Sequence, residues 1–423
     1  MNSFKNQVLT GFKWTTIGTI VIVFVALLKL SILARYLDKS DFGLMALVTF
    51  VMGFMNLFND MGLTSAILHK QNISEKEYAS LYWINLGFSI VLYVLLLAIT
   101  HFISEFYNEQ QLNILIPLLG LNLIISALGR MFKTIESKHL KFKQVTIFEV
   151  VAAVISLIFA IYLAINEYGV FTLIYSALLQ YSLQNTMYFI YGLKKYGLLF
   201  HFNFKETKPF LKIGVYQIGG QVINYFNRDL DILIIGKFFS QDILGGYSLA
   251  KQLVFRPAQI INPILVKVAS PGLAKIQDNL IELKTNYLKL ISIVSKVNFF
   301  VYVTTIVFAT RIVALFYGEG FDEIIALVQI LSIYMVFRAI GNPIGSLITA
   351  TGKTNLEFYW NLFTFTVTPI FVLVASQKSI VAVAWSLCVA MILLFYPSWR
   401  FLVYRILGIS FKEYLLAIIK LYK

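Results

Sequence analysis

Apolar runs about as long as a bilayer is thick follow one another along almost the whole chain. A helix needs about 20 mostly apolar residues to cross a membrane. Runs of that kind lie near 15–36, 42–66, 80–103, 111–129, 145–165, 169–192, 213–236, 243–266, 290–310, 323–346, 355–376 and 380–399. The pattern predicts an all-α polytopic membrane protein with about 12 transmembrane helices. The connections are short. The longest, 193–212 and 267–289, leave no room for an extramembrane catalytic domain. The polar opening MNSFKNQVLTGFKW leads into the first run without a small-residue cleavage pattern, so it predicts a retained span and not a signal peptide. The closing stretch FKEYLLAIIKLYK sets Phe411, Tyr414, Leu415, Ile418, Ile419 and Tyr422 on one helical face. It is too short to span and is expected to lie on the inner membrane surface.

Composition agrees with this picture. Hydrophobic residues make up 59% of the chain and charged residues 13%, about half the roughly 25% usual in soluble proteins. A disulfide scaffold is excluded, because the one cysteine, Cys388, sits inside an apolar run as a small buried hydrophobe. The net charge of +14 would suit a nucleic-acid partner if it formed a stripe. It does not. Of the 35 Lys and Arg residues, 24 fall in alternate loops on one side and 5, counting Arg35 at the end of the first span, on the other. That bias sets the topology, with both termini cytoplasmic, and no nucleic acid is implied. The densest patch, RMFKTIESKHLKFK from Arg130 to Lys143, also suits anionic lipid headgroups.

The chain is written twice. Shifted by 202, ILARYLDKSDFGLMAL (Ile32 to Leu47) lies over IIGKFFSQDILGGYSL (Ile234 to Leu249). Further on, EFY at Glu105 to Tyr107 matches LFY at Leu315 to Tyr317, and HLKF ending at Phe142 matches NLEF ending at Phe358. Six spans per half make a parallel repeat with its axis along the membrane normal, and such proteins hold their substrate between the halves. The expected organisation is an N-terminal six-helix bundle over 1–192, a cytoplasmic linker at 193–212, a C-terminal bundle over 213–405 and an amphipathic tail at 406–423. The two bundles are expected to surround a central cavity.

Polar stripes mark where that cavity lies. In the seventh span Gln217, Gln221, Asn224, Arg228 and Asp231 fall within about 80° of one another at 100° per residue. Such a stripe is excluded from lipid, since each central Arg or Asp costs at least about 2.5 kcal/mol there. The eighth span carries Ser248, Gln252, Arg256, Gln259 and Asn262, with bends offered by Pro257 and Pro263. Interhelical glue is the plain alternative for any single amide; two striped spans in sequence favour an aqueous cavity. At offset 202 Lys29 superposes on Asp231, which suggests opposite charges facing each other across the axis. Lys251, Lys296 and Arg338 are further intramembrane cations, and Asp60, Glu149, Asp229 and Glu357 further anions. Asp231 and Asp60 are the candidates for ion coupling. Asp229 lies off the stripe.

No catalytic or metal motif is present. TGKT at Thr351 to Thr354 lacks the glycine of a nucleotide loop, since position 347 is Leu347. The four histidines are scattered near span ends, and no H-E-x-x-H, C-x-x-C or G-x-S-x-G occurs. No enzyme, cofactor or metal is expected.

The segments ARYLDKSDFGLMALV, DMGLTSAILHK, NRDLDILIIGKFFSQDILGGYSLAKQLVFRPAQ and ITATGKTNLEFYWNL resemble the polysaccharide-transporter branch of the MOP superfamily, the Wzx-type flippases, with colanic-acid exporters nearest in pattern. The resemblance covers nearly the whole chain. It implies a MATE-like two-bundle fold in a bacterial cytoplasmic membrane, working by alternating access. It also implies movement of a polyprenyl-pyrophosphate-linked oligosaccharide from inner to outer leaflet, with a polysaccharide polymerase and other assembly proteins as partners. On the residues, Arg228, Arg256, Lys29 and Arg338 are the candidates to hold the pyrophosphate, and Gln221, Asn224, Gln252 and Gln259 the sugars. The alternative is a cation-coupled multidrug exporter of the same superfamily, which would favour a net-negative cavity. Lys29, Arg228, Arg256 and Arg338 against Asp231 point to an anionic substrate instead.

Overall fold

A computed structural model describes residues 2–419 except 71, with the side chains of 2–9, 69, 213–217, 260, 262–268 and 270–271 outside the described set. Gln217 and Asn262 of the expected stripes, the Pro263 side chain and Tyr422 of the tail therefore lie outside it. The described residues form helices and no strand, as the apolar runs predict. In a bilayer the backbone must satisfy its own hydrogen bonds, and the helix does so within one segment.

The chain forms two compact units, Met1–Tyr225 and Phe226–Lys423. The first holds α1 (Asn2–Leu33), α2 (Lys39–Asn59), α3 (Leu63–His69), α4 (Glu75–Tyr107), α5 (Leu112–Gly120), α6 (Asn122–Lys138), α7 (Phe142–Ile165) and α8 (Val170–Tyr196). It ends within α9 (Phe204–Phe238). Sequence-local signals set the helix ends. Ser74 and Glu77 form a capping box at the start of α4: Glu77 N–H donates to Ser74 Oγ at 3.3 Å, and Ser74 N–H to the Glu77 carboxylate at 2.8 Å. The second span stops at Asp60 because Met61 and Gly62 are both left-handed, with φ of 50° and 65°. The chain then turns into α3. The glycine carries half of that turn at no steric cost.

Hydrophobic burial does not drive helices together inside lipid; close backbone approach and interhelical hydrogen bonds do. In the N-terminal unit α1 packs along α7 and α6 along α8. Both seams rest on small residues. A Cβ on Gly18 would run into Thr146, and one on Gly192 into the Phe132 ring. The unit also retains the first half of α9: Phe210 joins a buried cluster with Leu63, Ile67, Tyr82 and Phe132, and the Tyr225 hydroxyl donates to the Phe50 carbonyl. The division therefore falls inside α9, beyond the 193–212 segment where the sequence suggests a linker.

The C-terminal unit continues with α10 (Gln241–Lys275), α11 (Leu280–Val307), α12 (Ala309–Tyr317), α13 (Glu323–Ile340), α14 (Asn342–Thr351), α15 (Thr354–Ser376) and α16 (Ile380–Ser398). A π turn over Trp399–Val403, α17 (Tyr404–Leu407) and α18 (Phe411–Ile419) close the chain. The fourth crossing of each half is broken once, after Gly120 and after Ile340. The tail helix α18 docks on α11: Tyr414 and Ala417 are buried with Tyr287 and Trp399, while Ile419 of the same apolar face stays exposed.

Among the described residues, nine helical segments are long and apolar enough to cross a membrane. The three other long helices are α8, α9 and α10, of 27, 35 and 35 residues. They have the length and lack the apolarity, which is the result expected if their polar faces avoid lipid.

Candidate functional site

The buried charges of the C-terminal unit converge on one lysine. Lys251, on α10, donates to Asp231 Oδ1 at 2.7 Å and Oδ2 at 3.0 Å, to Asp229 Oδ1 at 3.2 Å and to the Arg228 carbonyl at 2.9 Å. The Tyr247 hydroxyl, one turn earlier on α10, donates to Asp231 Oδ2. Asp231 is 7% exposed and Lys251 8%. A buried ion pair this deep survives only when its remaining lone pairs and protons are taken up, and here they are. Arg228, exposed on α9, pairs with Asp229 through Nε at 2.7 Å. The i to i+3 spacing of the stripe suggests Asp231 as the arginine's companion. The backbone instead turns Asp229 toward Arg228, and Asp231 faces Lys251. This gives Asp229, which the stripe leaves unplaced, its role.

Arg338 on α13 stands beside the same cluster. It donates to the Tyr334 hydroxyl and lies over the Phe255 ring at 5.4 Å. Between these side chains is a cavity of about 20 Å³, lined by Asp231, Tyr247, Phe255, Tyr334, Thr368 and Arg228 among others, which is room for one water. Asn227 anchors α9 to α15, donating to the Asn361 carbonyl at 2.9 Å and to Thr364 Oγ1 at 3.1 Å.

Arg256 leaves part of its guanidinium without a partner among the described residues. Its NH1 donates to Gln259 Oε1 at 3.0 Å, and its Nε is buried with no hydrogen-bond partner among the described residues. No carboxylate neutralises it among the ion pairs of the described residues. Gln252 donates to Ser248 at 3.3 Å, a contact along α10. Gln221, Asn224 and Gln259 are exposed. The stripe of α9 is thus open at Gln221, Asn224 and Arg228 and closed only at Asp231.

In the N-terminal unit Lys29 rests on neutral groups, while Glu136 is paired with Lys195 and Asp60 has Arg130 nearby. Lys29 Nζ donates to Ser156 Oγ at 3.0 Å, and that hydroxyl passes its own proton to the Ser176 carbonyl at 2.7 Å, tying α1, α7 and α8 together. Asp60 accepts from Thr64 at 2.5 Å. Next to it Asn59, fully buried, donates to the Leu123 carbonyl at 3.1 Å and to Ser126 at 3.0 Å, and accepts from Ser89 at 2.6 Å. Lys29 and Asp231, which the repeat superposes, each have a partner inside their own unit.

Sequence reasoning passed over the central place of Lys251, with Tyr247 beside it; only the bare presence of a lysine in an apolar span signals it. It also passed over Gln180, Gln184 and Asn185, whose spacing makes α8 a further polar helix. Among the described residues no group of three His, Cys, Asp or Glu side chains is placed to hold a metal.

Known proteins resemble this chain along nearly its whole length. The chain is 28% identical over 417 residues to the lipopolysaccharide biosynthesis protein WzxC of Escherichia coli, covering 98% of this chain and 85% of that one. It is 26% identical to the teichuronic acid biosynthesis protein TuaB of Bacillus subtilis, over 99% and 87% of the two chains. Among solved structures it resembles the lipid II flippase MurJ in an inward closed conformation, with a TM-score of 0.75 at 15% identity, covering 97% of this chain and 90% of that one. At that identity the likeness establishes the fold alone. The profile described as polysaccharide biosynthesis protein matches residues 32–326, and the chain belongs to that family.

Proposed function

We propose that the protein is a flippase. It carries a polyprenyl-pyrophosphate-linked oligosaccharide from the inner to the outer leaflet of a bacterial cytoplasmic membrane, for O-antigen, capsule or exopolysaccharide synthesis. Membership of the polysaccharide biosynthesis family supports this reading, as do relatives named for lipopolysaccharide and teichuronic acid synthesis. In this reading α8, α9 and α10 complete twelve crossings, both termini are cytoplasmic, and the two sequence repeats alternate access about a shared axis. A polysaccharide polymerase and other assembly proteins take the product.

The observation that carries the reading is Arg256. A guanidinium in an apolar span costs at least about 2.5 kcal/mol, and this one has an amide, and no carboxylate in the ion pairs of the described residues, to offset the cost. A diphosphate supplies both the missing charge and pairs of oxygens that the planar fork can bind in two parallel hydrogen bonds. Arg228, Arg338 and Lys29 add positive charge, and Gln221, Asn224, Gln252 and Gln259 offer amides to sugar hydroxyls. Asp231 and Asp60 serve coupling. Asp231 does so through Lys251: protonating the aspartate, or pulling the lysine toward an arriving diphosphate, changes the same ion pair.

Complementation of a strain lacking its own exporter tests the proposal. Arg256→Ala should abolish polymer export at normal membrane abundance, and Arg256→Lys should retain a small part of it, since charge survives and the fork does not. Full export by Arg256→Ala would leave the arginine a structural residue.

A further inference from the structure

A second site lies in the N-terminal unit, away from the polar stripes. The ends of α1, α6, α7 and α8 line an open cleft of about 700 Å³, bordered by Trp14, Glu136, His139, Lys141, Lys143 and Tyr191 among others. That volume is in the range of small-molecule sites, roughly 300–1,000 Å³. Glu136 forms its floor. The residue is 1% exposed. Its Oε1 takes Lys195 at 2.6 Å and the Tyr196 hydroxyl, while Oε2 is buried with no partner among the described residues. A buried carboxylate oxygen left without a donor is costly, so it marks a place for a hydroxyl or amide that the described residues do not supply.

The rim carries the opposite demand. Lys141 and Lys143 are exposed, and Lys143 stands over the Trp14 ring at 5.4 Å. With Lys195, three ammonium groups stand against one carboxylate. The nearby Lys195 ammonium holds Lys141 below the ordinary range of a lysine. Crowded cations of this kind attract an anion. The backbone is strained to place them: Leu140 is left-handed at φ 57°, where glycine is usual. Its N–H donates to the Ser137 carbonyl at 3.1 Å, and that of Lys141 to the Glu136 carbonyl at 2.9 Å. This is the two-bond helix end normally built on glycine. A leucine held there is strained by about 1–3 kcal/mol.

We propose that this cleft binds a phosphate ester with a free hydroxyl, the phosphate on Lys141 and Lys143 and the hydroxyl on Glu136 Oε2. Trp14 and Tyr191 form its amphipathic walls. The ligand comes from the inner leaflet, as a hydroxylated phospholipid headgroup or a glycosyl phosphate; the two share this chemistry. The proposal uses the reading of a flippase only to place this end of the molecule in the cytoplasm, and binding is measured apart from export.

The purified full-length protein is titrated in detergent with phosphatidylglycerol, phosphatidylethanolamine and uridine diphosphate glucose, with bound copies counted by native mass spectrometry. Phosphatidylglycerol should bind more tightly than phosphatidylethanolamine, whose ammonium cancels the net negative charge that the lysines attract. Lys141→Ala with Lys143→Ala should weaken that binding about 30-fold, from roughly 1 kcal/mol for each surface lysine. Lys141→Arg with Lys143→Arg should keep it. Displacement by uridine diphosphate glucose assigns the site to glycosyl phosphates, and retention against it assigns the site to the lipid; both support the proposal. Arg256→Ala should bind as the parent does even where export fails. Equal affinity for the two lipids, or an alanine variant that binds unchanged, would overturn the site.

Discussion

The two halves repeat one architecture, and two of their intramembrane lysines, Lys29 and Lys251, are held in opposite ways. In the N-terminal unit Lys29 rests on a serine hydroxyl and Asp60 on a threonine, with Asn59 tying the neighbouring helices. In the C-terminal unit Lys251 is held by two aspartates and a backbone carbonyl. A hydroxyl gives and takes a proton and loses little when its partner goes. An ion pair does not. The Lys29 site therefore tolerates single changes, and the Lys251 site has a charge balance that a single event can upset, which is what a coupling element needs.

The contrast breaks most visibly at Lys251. Lys251→Ala leaves Asp231 buried and uncompensated and should cost about 3–5 kcal/mol, read as a fall in Tm or membrane abundance. The paired change Lys251→Met with Asp231→Leu should recover most of that stability while export stays lost. If the pair is no more stable than the single variant, the ion pair is not the source of the loss.

A packing change comes next in size. Gly192→Ala sets a methyl into the Phe132 ring and should cost roughly 1–3 kcal/mol, loosening α6 from α8; thermal unfolding of the purified protein measures it.

Lys29→Met should cost only about 0.6 kcal/mol, because Ser156 still donates to the Ser176 carbonyl. A loss comparable to that of Lys251→Ala would erase the distinction between the halves.

The smallest effect is at the tail. Glu413 is held below its ordinary value of 4.5 by the Ser410 backbone N–H and by Lys284. A depressed carboxylate stabilises the docked tail at pH values above 4.5, and that contribution disappears as pH falls through the lower, docked-state value. Hydrogen exchange over 411–419 should be flat from neutral pH to about 5 and rise below about 4, and Glu413→Gln should remove the step.

Much of the fold was legible because lipid imposes it. Apolar runs alone place the helices, and the EFY and LFY matches reveal the doubling. The hydropathy of α8, α9 and α10 is weak for the same reason their stripes are informative: polar faces cost apolarity. The stripe located Arg228, Asp231 and Arg256 but not who pairs with whom. Helical periodicity gives direction around one axis, whereas the Lys251 to Asp231 contact depends on how α9 and α10 pack. Glu136 was hidden inside a basic loop that topology already explained, and its unpartnered oxygen exists only in three dimensions.

The central claim, movement of a lipid-linked oligosaccharide by way of Arg256, is tested most directly in proteoliposomes. Labelled lipid-linked oligosaccharide is supplied on one leaflet, and its exposure on the other is read with a membrane-impermeant glycosidase. The account predicts time-dependent exposure with the parent protein and almost none with Arg256→Ala. Exposure no faster than in protein-free liposomes, or equally fast with both proteins, would contradict it.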